Sequence, residues 1–276
     1  MYFDGHLHST CSDGNLSPSA LVDMVNKQGV RVMALTDHDT IAGHVAAHAR
    51  CNELGLRFVA GVEMSVEHGG REIHVLAYFP QRTQWSDEAG SAFATALQVS
   101  SDQRRAHLQT QLDKLAAFGV QLTREEVLKH AGDYSIGRPH IAKAMLARGY
   151  VSSIDEAFVR YLGNGKPAHA PRSHVAAAAM IRLAHAAGGR CSTAHPAVYR
   201  LGEKDFAELK AAGLFGIEVY HHHHKPEDVL YYLRQCDTHD LVPTGGSDYH
   251  ASPDFLELVP GAHGLDEKGF ARLTRI

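Results

Sequence analysis

The chain has 276 residues, 44% of them hydrophobic, and 31 acidic against 27 basic side chains give a formal net charge of −4 at pH 7. That length buries a full core, as one barrel-sized domain or as a domain carrying an insertion. The acidic balance gives no case for general binding of duplex DNA. No run of about 18 apolar residues occurs, which argues against a transmembrane helix and a membrane partner. The start, Met1 to His6, places an acid and a histidine where a secretory leader needs a basic then apolar stretch, so a cytoplasmic protein is expected. Cys11, Cys51, Cys191 and Cys236 lie far apart with no CxxC pairing, so neither a zinc knot nor a disulfide framework is expected.

Residues 2–8 read as a first strand that ends in His6 and His8. Ser17-Pro18 gives an N-cap and a proline at the first helical position, and Gly29 stops that helix. A second strand follows at 30–36, a helix at 40–54, a third strand at 58–63 and a fourth at 73–79. Strand–helix alternation of this kind predicts a parallel sheet or barrel. From 84 to 170 strand signals almost vanish, and helices are predicted near 88–118, 123–131, 138–148 and 154–162. Alternation then returns: a helix at 176–187, a strand at 191–195, a helix at 203–212, a strand at 215–220, a helix at 226–238 and a strand at 241–244. The expected architecture is an α/β barrel formed by residues 1–83 and 171–276, with a mostly helical insertion at 84–170 that contributes substrate contacts. Residues 101–172 carry 11 Lys and Arg against 7 Asp and Glu, leaving 16 against 24 elsewhere. A basic insertion beside a carboxylate-rich core suits an anionic substrate, although an ordinary mixed surface gives the same counts.

Histidine is the outlying residue type, 21 of 276. His6 and His8 are two apart, so a strand points both to one face. Asp13 lies in the loop that follows, His38 just past the second strand, Glu63 at the end of the third, His74 in the fourth and His195 at a later strand end. Asp248 and His250, again two apart, follow the last strand. Strand C-termini converge on one mouth of a parallel barrel. Nine imidazoles and carboxylates gathered there need cations. The number is too many for one ion and enough for two or three, particularly if Glu63 bridges. Ligation by imidazole and carboxylate without thiolate suits Mn(II), with Fe(II) or Zn(II) as alternatives. His221 to His224 follow a strand end and are expected to be mostly a solvated loop, with His221 or His222 able to protonate a leaving oxygen.

In this order the pieces resemble the PHP (polymerase and histidinol phosphatase) family of metallophosphoesterases: His6-Leu7-His8, Thr36-Asp37-His38-Asp39, Gly61-Val62-Glu63, His74, His195, and Asp248 with His250. The resemblance implies a distorted (β/α)7 barrel with up to three divalent ions. It would place His6, His8, Glu63 and Asp248 on one ion, Glu63, His74 and His195 on a second, and Asp13, His38 and His250 on a third. The nucleophile would be a hydroxide on ions about 3.5–4 Å apart, held by Glu63, His74 and His195. HxH also opens the C–N-cleaving amidohydrolases, which often bridge paired metals with a modified lysine. Here the corresponding strand ends in Glu63, and no lysine occurs between Lys27 and Lys114. A non-enzymatic metal-binding domain is the other reading.

Gly137-Arg138-Pro139-His140 and the run Gly163 to Ala168 resemble the branch that contains nucleoside 3′,5′-bisphosphate phosphatases and short-RNA exonucleases. That implies removal of a 3′-phosphate from a small anionic nucleotide. A 5′-3′ exoribonuclease acting on short RNA and a histidinol-phosphate-type phosphatase are the alternatives. Leu97, Ser101, Arg104, Leu108, Leu112 and Leu115 form one helical stripe, so Arg104 falls on the buried face. It is expected either to clamp a phosphate or to pair with an acid such as Asp133. Arg105 shares either role, and Arg138 sits at a helix start where backbone donors favour an anion. Asp13, His38, Ser135, His140, Lys166 and His250 complete the expected contacts. Asp37 is expected to orient a ligand imidazole or serve structurally, and Asp39 to do the same or to cap a helix.

Overall fold

The computed structural model describes residues 1–131, 135–163, 165–170, 174–253 and 257–274. Asp133 and Asn164, which the sequence singled out, lie outside them. Among the described residues seven strands make one sheet in chain order: β1 (Phe3–Asp4), β2 (Val32–Leu35), β3 (Arg57–His68), β4 (Arg71–Phe79), β5 (Arg190–Thr193), β6 (Gly216–Tyr220) and β7 (Val242–Gly245). Just beyond β1 and β7 the two ends of the sheet meet. Gly5 N donates to Gly245 O at 3.2 Å, Asp248 N to His6 O at 2.9 Å and His8 N to Tyr249 O at 3.1 Å. The sheet is thereby nearly closed, as a distorted (β/α)7 barrel.

Two features differ from a parallel barrel with ligands at every strand end. Strand β1 is only two residues long, because the chain leaves the ladder at Gly5; Leu7 keeps the alternation alive by bridging Tyr249, so His6 and His8 flank it on one side. Strand β3 does not stop at Glu63. It runs on to His68 and turns through Gly69 (φ +60°) and Gly70 (φ +77°) into β4, which is antiparallel to both β3 and β5. Two consecutive positive φ values define the two-residue hairpin that glycine pairs favour. Glu63 is therefore mid-strand, and the reversed β4 brings His74, near its beginning, to the same end of the barrel.

Helix α1 (Pro18–Lys27) starts where expected, with Ser17 Oγ accepting from Ala20 N at 3.3 Å. Its Leu21, Val22 and Val25 pack with Met33, Leu35 and with Ala47 and Cys51 of α2 (His44–Leu54). The helical stretch holds α3 (Glu88–Ala116), α4 (Arg124–Leu128), α5 (Arg138–Ala147) and α6 (Ile154–Ala157), the last continuing as a π-turn over Phe158–Leu162. Helix α3 is about 43 Å long at 1.5 Å per residue. Its first half puts Phe93 and Leu97 into the barrel core, and its second half puts Leu108, Leu112 and Leu115 into a separate core with Val127, Ile141 and Met145. Between these cores lie Ser100, Ser101 and Arg104. Helices α7 (Ala177–Ala186), α9 (Glu203–Ala211) and α10 (Pro226–His239) return to the barrel; α8 (Pro196–Tyr199) and α11 (Glu267–Thr274) were not foreseen. Among the described residues no helix is long and apolar enough to cross a membrane.

Candidate metal centre

All nine residues expected as ligands gather at one mouth of the barrel, around Glu63. Its Oε2 lies 3.2 Å from His6 Nε2, 3.2 Å from His8 Nε2 and 3.1 Å from His38 Nδ1. Its Oε1 lies 2.8 Å from His74 Nδ1 and 2.9 Å from His195 Nε2. Asp248 Oδ1 approaches the same His6 and His8 nitrogens at 3.3 and 3.2 Å. Asp13 faces His250 Nε2 at 3.2 Å and His38 Nε2 at 3.6 Å. Among the described residues five sets of donor atoms converge tightly enough to share an ion: His6, His8, Glu63 and Asp248; His38, Glu63 and His74; His8, Asp13, His38 and His250; His6, Glu218 and His221; and His221, His222 and Asp248. The second pairs Glu63 and His74 with His38, where the sequence grouped them with His195.

The donor atoms themselves fit divalent cations. His6 Nε2, His8 Nε2, His38 Nδ1 and Asp13 Oδ1 are buried with no hydrogen-bond partner, although carboxylate oxygens or imidazole nitrogens lie close by. Such orphaned polar atoms are costly unless something charged completes them. The electrostatics say the same. Burial would depress the imidazoles, but Asp248, Glu218 and Glu63 outweigh it and hold His6 well above the usual histidine range. Against the same burial, Asp248 and Glu63 push His8 up to about 10, and Glu63 with Glu72 pushes His74 up to about 9. The carboxylates of Glu63, Asp13 and Asp248 lie well below their ordinary range, because neighbouring imidazoles overcome the effect of burial. The cluster demands positive charge, and without a metal only protons supply it.

The rings of His6 and His8 are aimed from behind. His6 Nδ1 donates to Glu218 Oε1 at 2.9 Å, and the other oxygen of Glu218 accepts from His195 N at 2.6 Å. Asp37 accepts from Ser9 N and Ser12 Oγ at 2.7 and 2.6 Å, and Ser12 Oγ in turn meets His8 Nδ1 at 3.3 Å. Asp37 thus reaches a ligand ring through Ser12. Beneath them, Asp4 takes bonds from His6 N, Ser247 N, Ser247 Oγ and Gly261 N, tying the first loop to the last. There Gly246 is obligatory, since an added Cβ would stand 2.3 Å from His6 Cβ. Asp39 (φ 51°), His195 (φ 30°) and Asp248 (φ 55°) occupy the left-handed region, a strain that clusters at functional sites.

The cluster forms one wall of a cavity of about 240 Å³; Arg104, Arg138, His107 and His169 line the other side. Arg104 finds its acid in Asp39, at 2.7 Å, and also donates to Ser65 Oγ. Asp39 is therefore not a helix cap: one oxygen holds Arg104 and the other accepts from Ser65 N at 2.8 Å. Arg138 donates to Leu162 O at 3.2 Å and faces the cavity. Arg105, Ser135 and Lys166 do not line the cavity; Ser135 is buried and Lys166 exposed. His140 is a bolt between helix α5 and the loop that carries Ser12 and Asp13, and it does not line the cavity. Its Nδ1 accepts from Gly137 N, its Nε2 donates to Ser12 O at 2.9 Å, and burial pushes it down to about 4.

A family model described as "PHP domain" matches residues 4–163. The chain belongs to the PHP family. A 5′-3′ exoribonuclease of Haemophilus influenzae is 34% identical over 261 residues, covering 93% of this chain and 92% of that one. A 3′,5′-nucleoside bisphosphate phosphatase of Chromobacterium violaceum is 30% identical over 268 residues, covering 95% and 89%. A solved structure from Bifidobacterium adolescentis, described as a metal-dependent phosphoesterase, superposes with a TM-score of 0.88 at 28% identity, covering 99% of this chain and 95% of its own. This PHP chain is a metal-dependent phosphoesterase. No lysine lines the cavity among the described residues.

The four-histidine tract of this PHP chain is less solvated than expected. His221 is 1% exposed, with Nε2 3.3 Å from Asp248 Oδ2, and His222 and His224 are half-buried. Neither His221 nor His222 lines the metal cavity, whereas His223 does. Glu218 and Asp4 escaped the sequence reading. Their signals were present: an acid inside the apolar run Gly216-Ile217-Glu218-Val219-Tyr220, and an aspartate two residues before His6.

Proposed function

We propose that this phosphoesterase removes the 3′-phosphate from nucleoside 3′,5′-bisphosphates such as adenosine 3′,5′-bisphosphate, giving the 5′-monophosphate and phosphate. The observation that carries the reading is the pair of unlike walls in one small cavity. One wall is the imidazole–carboxylate cluster; the other presents two arginines, suited to a second phosphate on the same molecule. A substrate with two phosphates has a use for both. Residues 84–170 act in this reading as a substrate-binding unit seated on a cytoplasmic enzyme's barrel.

Mn(II) is the proposed ion, with Fe(II) or Zn(II) as alternatives. His6, His8, Glu63 and Asp248 would hold one, Glu63, His74 and His195 a second, and Asp13, His38 and His250 a third. When bound, such ions supply a hydrolytic nucleophile near neutral pH and neutralise charge on the phosphoryl oxygens. Arg138, with Arg104 steadied by Asp39, grips the 5′-phosphate and sets the depth at which the 3′-phosphate meets the cluster. Glu218 and Ser12 keep the unprotonated nitrogens of His6 and His8 turned inward. His223, the member of the tract that borders the cavity, is the group placed to give a proton to the departing 3′-oxygen.

The experiment is a comparison of phosphate release by Mn(II)-loaded protein from adenosine 3′,5′-bisphosphate, adenosine 3′-monophosphate and histidinol phosphate. The first should be turned over much faster than the other two. A preference for histidinol phosphate, or indifference to the 5′-phosphate, would sink the reading.

A further inference from the structure

Directly after β6 come the four consecutive histidines, and each finds a different partner. His224 Nδ1 donates to Val219 O at 2.9 Å, which folds the tract back on its own strand. His222 Nδ1 donates at 3.1 Å to Ser247 O, the carbonyl of the residue before Asp248. His221 Nε2 meets Asp248 Oδ2 at 3.3 Å, and its ring stacks on that of His222 with centroids 4.4 Å apart. Of the four, only His223 borders the metal cavity.

His221, His222 and Asp248 bring their donor atoms close enough for an ion of their own, as do His6, Glu218 and His221. The position of one proton argues against both. His223 N donates to His221 Nδ1 at 3.1 Å. A main-chain amide can only donate, so Nδ1 carries a lone pair and the proton of the ring sits on Nε2. That proton is aimed at Asp248 Oδ2. An ion on His221 would have to displace it, leaving an imidazolate, or break the bond from His223.

Asp248 is thus a carboxylate with divided duties. Its Oδ1 lies 3.3 and 3.2 Å from the Nε2 atoms of His6 and His8, while Oδ2 is taken by a histidine that is 1% exposed. The backbone there is strained, at φ 55°, and strain of that kind persists only where the surroundings over-determine it. His222 supplies part of that constraint through the preceding carbonyl, and Asp248 N adds its bond to His6 O at 2.9 Å.

We propose that His221 is the positioning residue for Asp248. By claiming Oδ2 it turns Oδ1 toward the ion that Asp248 would hold with His6, His8 and Glu63, while His222 fixes the main chain beneath. This rests on the metal assignment made under the proposed function. The tract is then an anchoring device with one member, His223, presented to the substrate.

The test reads metal rather than turnover, so it stands apart from the identity of the substrate. Metal-stripped protein is titrated with Mn(II) for the parent, His221→Leu, His221→Gln, Asp248→Asn and the combination of His221→Leu with Asp248→Asn. His221→Leu should weaken Mn(II) binding about 10–100-fold with the number of ions at saturation unchanged. His221→Gln, whose amide places an N–H where that of Nε2 stood, should bind within about twofold of the parent, and the combination within about twofold of Asp248→Asn, because the two residues act as one. Losses that multiply in the combination, or a His221→Leu variant that binds like the parent, overturn the proposal. So does one ion fewer at saturation in His221→Leu, which would make His221 a ligand. If His221→Leu fails to unfold cooperatively in urea, His221→Asn, whose amide is too short to reach Asp248, replaces it with the same expectations. An Asp248→Asn variant that binds Mn(II) as tightly as the parent overturns the metal assignment beneath, and the proposal with it.

Discussion

The two walls of the metal cavity are built on different principles. On the barrel wall every ligand is buried or nearly so, and several are fixed from behind by another buried group: Glu218 behind His6 and His195, Ser12 and Asp37 behind His8, Asp4 beneath the loops. The helical wall presents cations instead. Arg104 is held by Asp39 and Ser65, and Arg138 reaches a carbonyl of its own helical region. A site that performs one chemistry on many substrates gains from this division, since the reactive geometry is over-determined while the recognising side is free to change.

Substitutions can break that contrast, and the effects should fall in order. Glu63→Gln removes the carboxylate shared by both histidine sets. It should cost on the order of 10³-fold or more in kcat, with fewer metal ions retained per chain by elemental analysis. Arg104→Ala crosses from one wall to the other, because it strands the fully buried Asp39. A loss of about 3 kcal/mol in urea unfolding is expected, and an unchanged midpoint would refute the structural half of Arg104's role. Glu218→Gln should weaken metal binding by about 10–100-fold without touching substrate specificity, read by competition with a chelating dye. Arg138→Ala, confined to the helical wall, should raise KM for adenosine 3′,5′-bisphosphate by about tenfold while kcat holds, the signature of lost uniform binding.

The smallest effect sharpens the electrostatic side. His8 and His74, raised to about 10 and about 9, carry protons at neutral pH in the metal-free protein. Ligation has to expel them. His6, held well above the usual histidine range, adds to them, so metal binding should release on the order of two to three protons at pH 7, and affinity should rise with pH and weaken as pH falls. Calorimetric titration in buffers of different ionisation enthalpy measures the release directly. Proton uptake, or none, would contradict it.

The same contrast explains what the sequence disclosed. The clustered side chains of the barrel wall sit at or just past strand ends, where a two-residue period and a strand–helix alternation are local patterns; that His6, His8, His195, Asp248 and His250 gather at one mouth was legible for that reason. Glu63 was found, but its place in mid-strand was not, because the hairpin signal Gly69-Gly70 went unread. The burial of Arg104 followed from helical periodicity. Its partner did not, since Asp39 is 65 residues away and pairing over that distance is decided by packing between helix α3 and the barrel. The four-histidine tract was misjudged for a related reason: polarity suggested water, while Asp248 and the barrel mouth supplied partners.

One contact between the walls ties their energies together. The main-chain carbonyls of Ser12 and Asp13 accept from His140 and Lys143, both on helix α5. The loop that presents Asp13 is therefore also the seat of that helix. Were an ion held by Asp13, His38 and His250, part of its binding free energy would be gained as docking of helix α5, and a substrate that steadied that helix would in return tighten the ion, by the reciprocity of linked equilibria. The affinity for an ion at that edge would thus be a property of what is bound in the cavity as well as of the three side chains themselves.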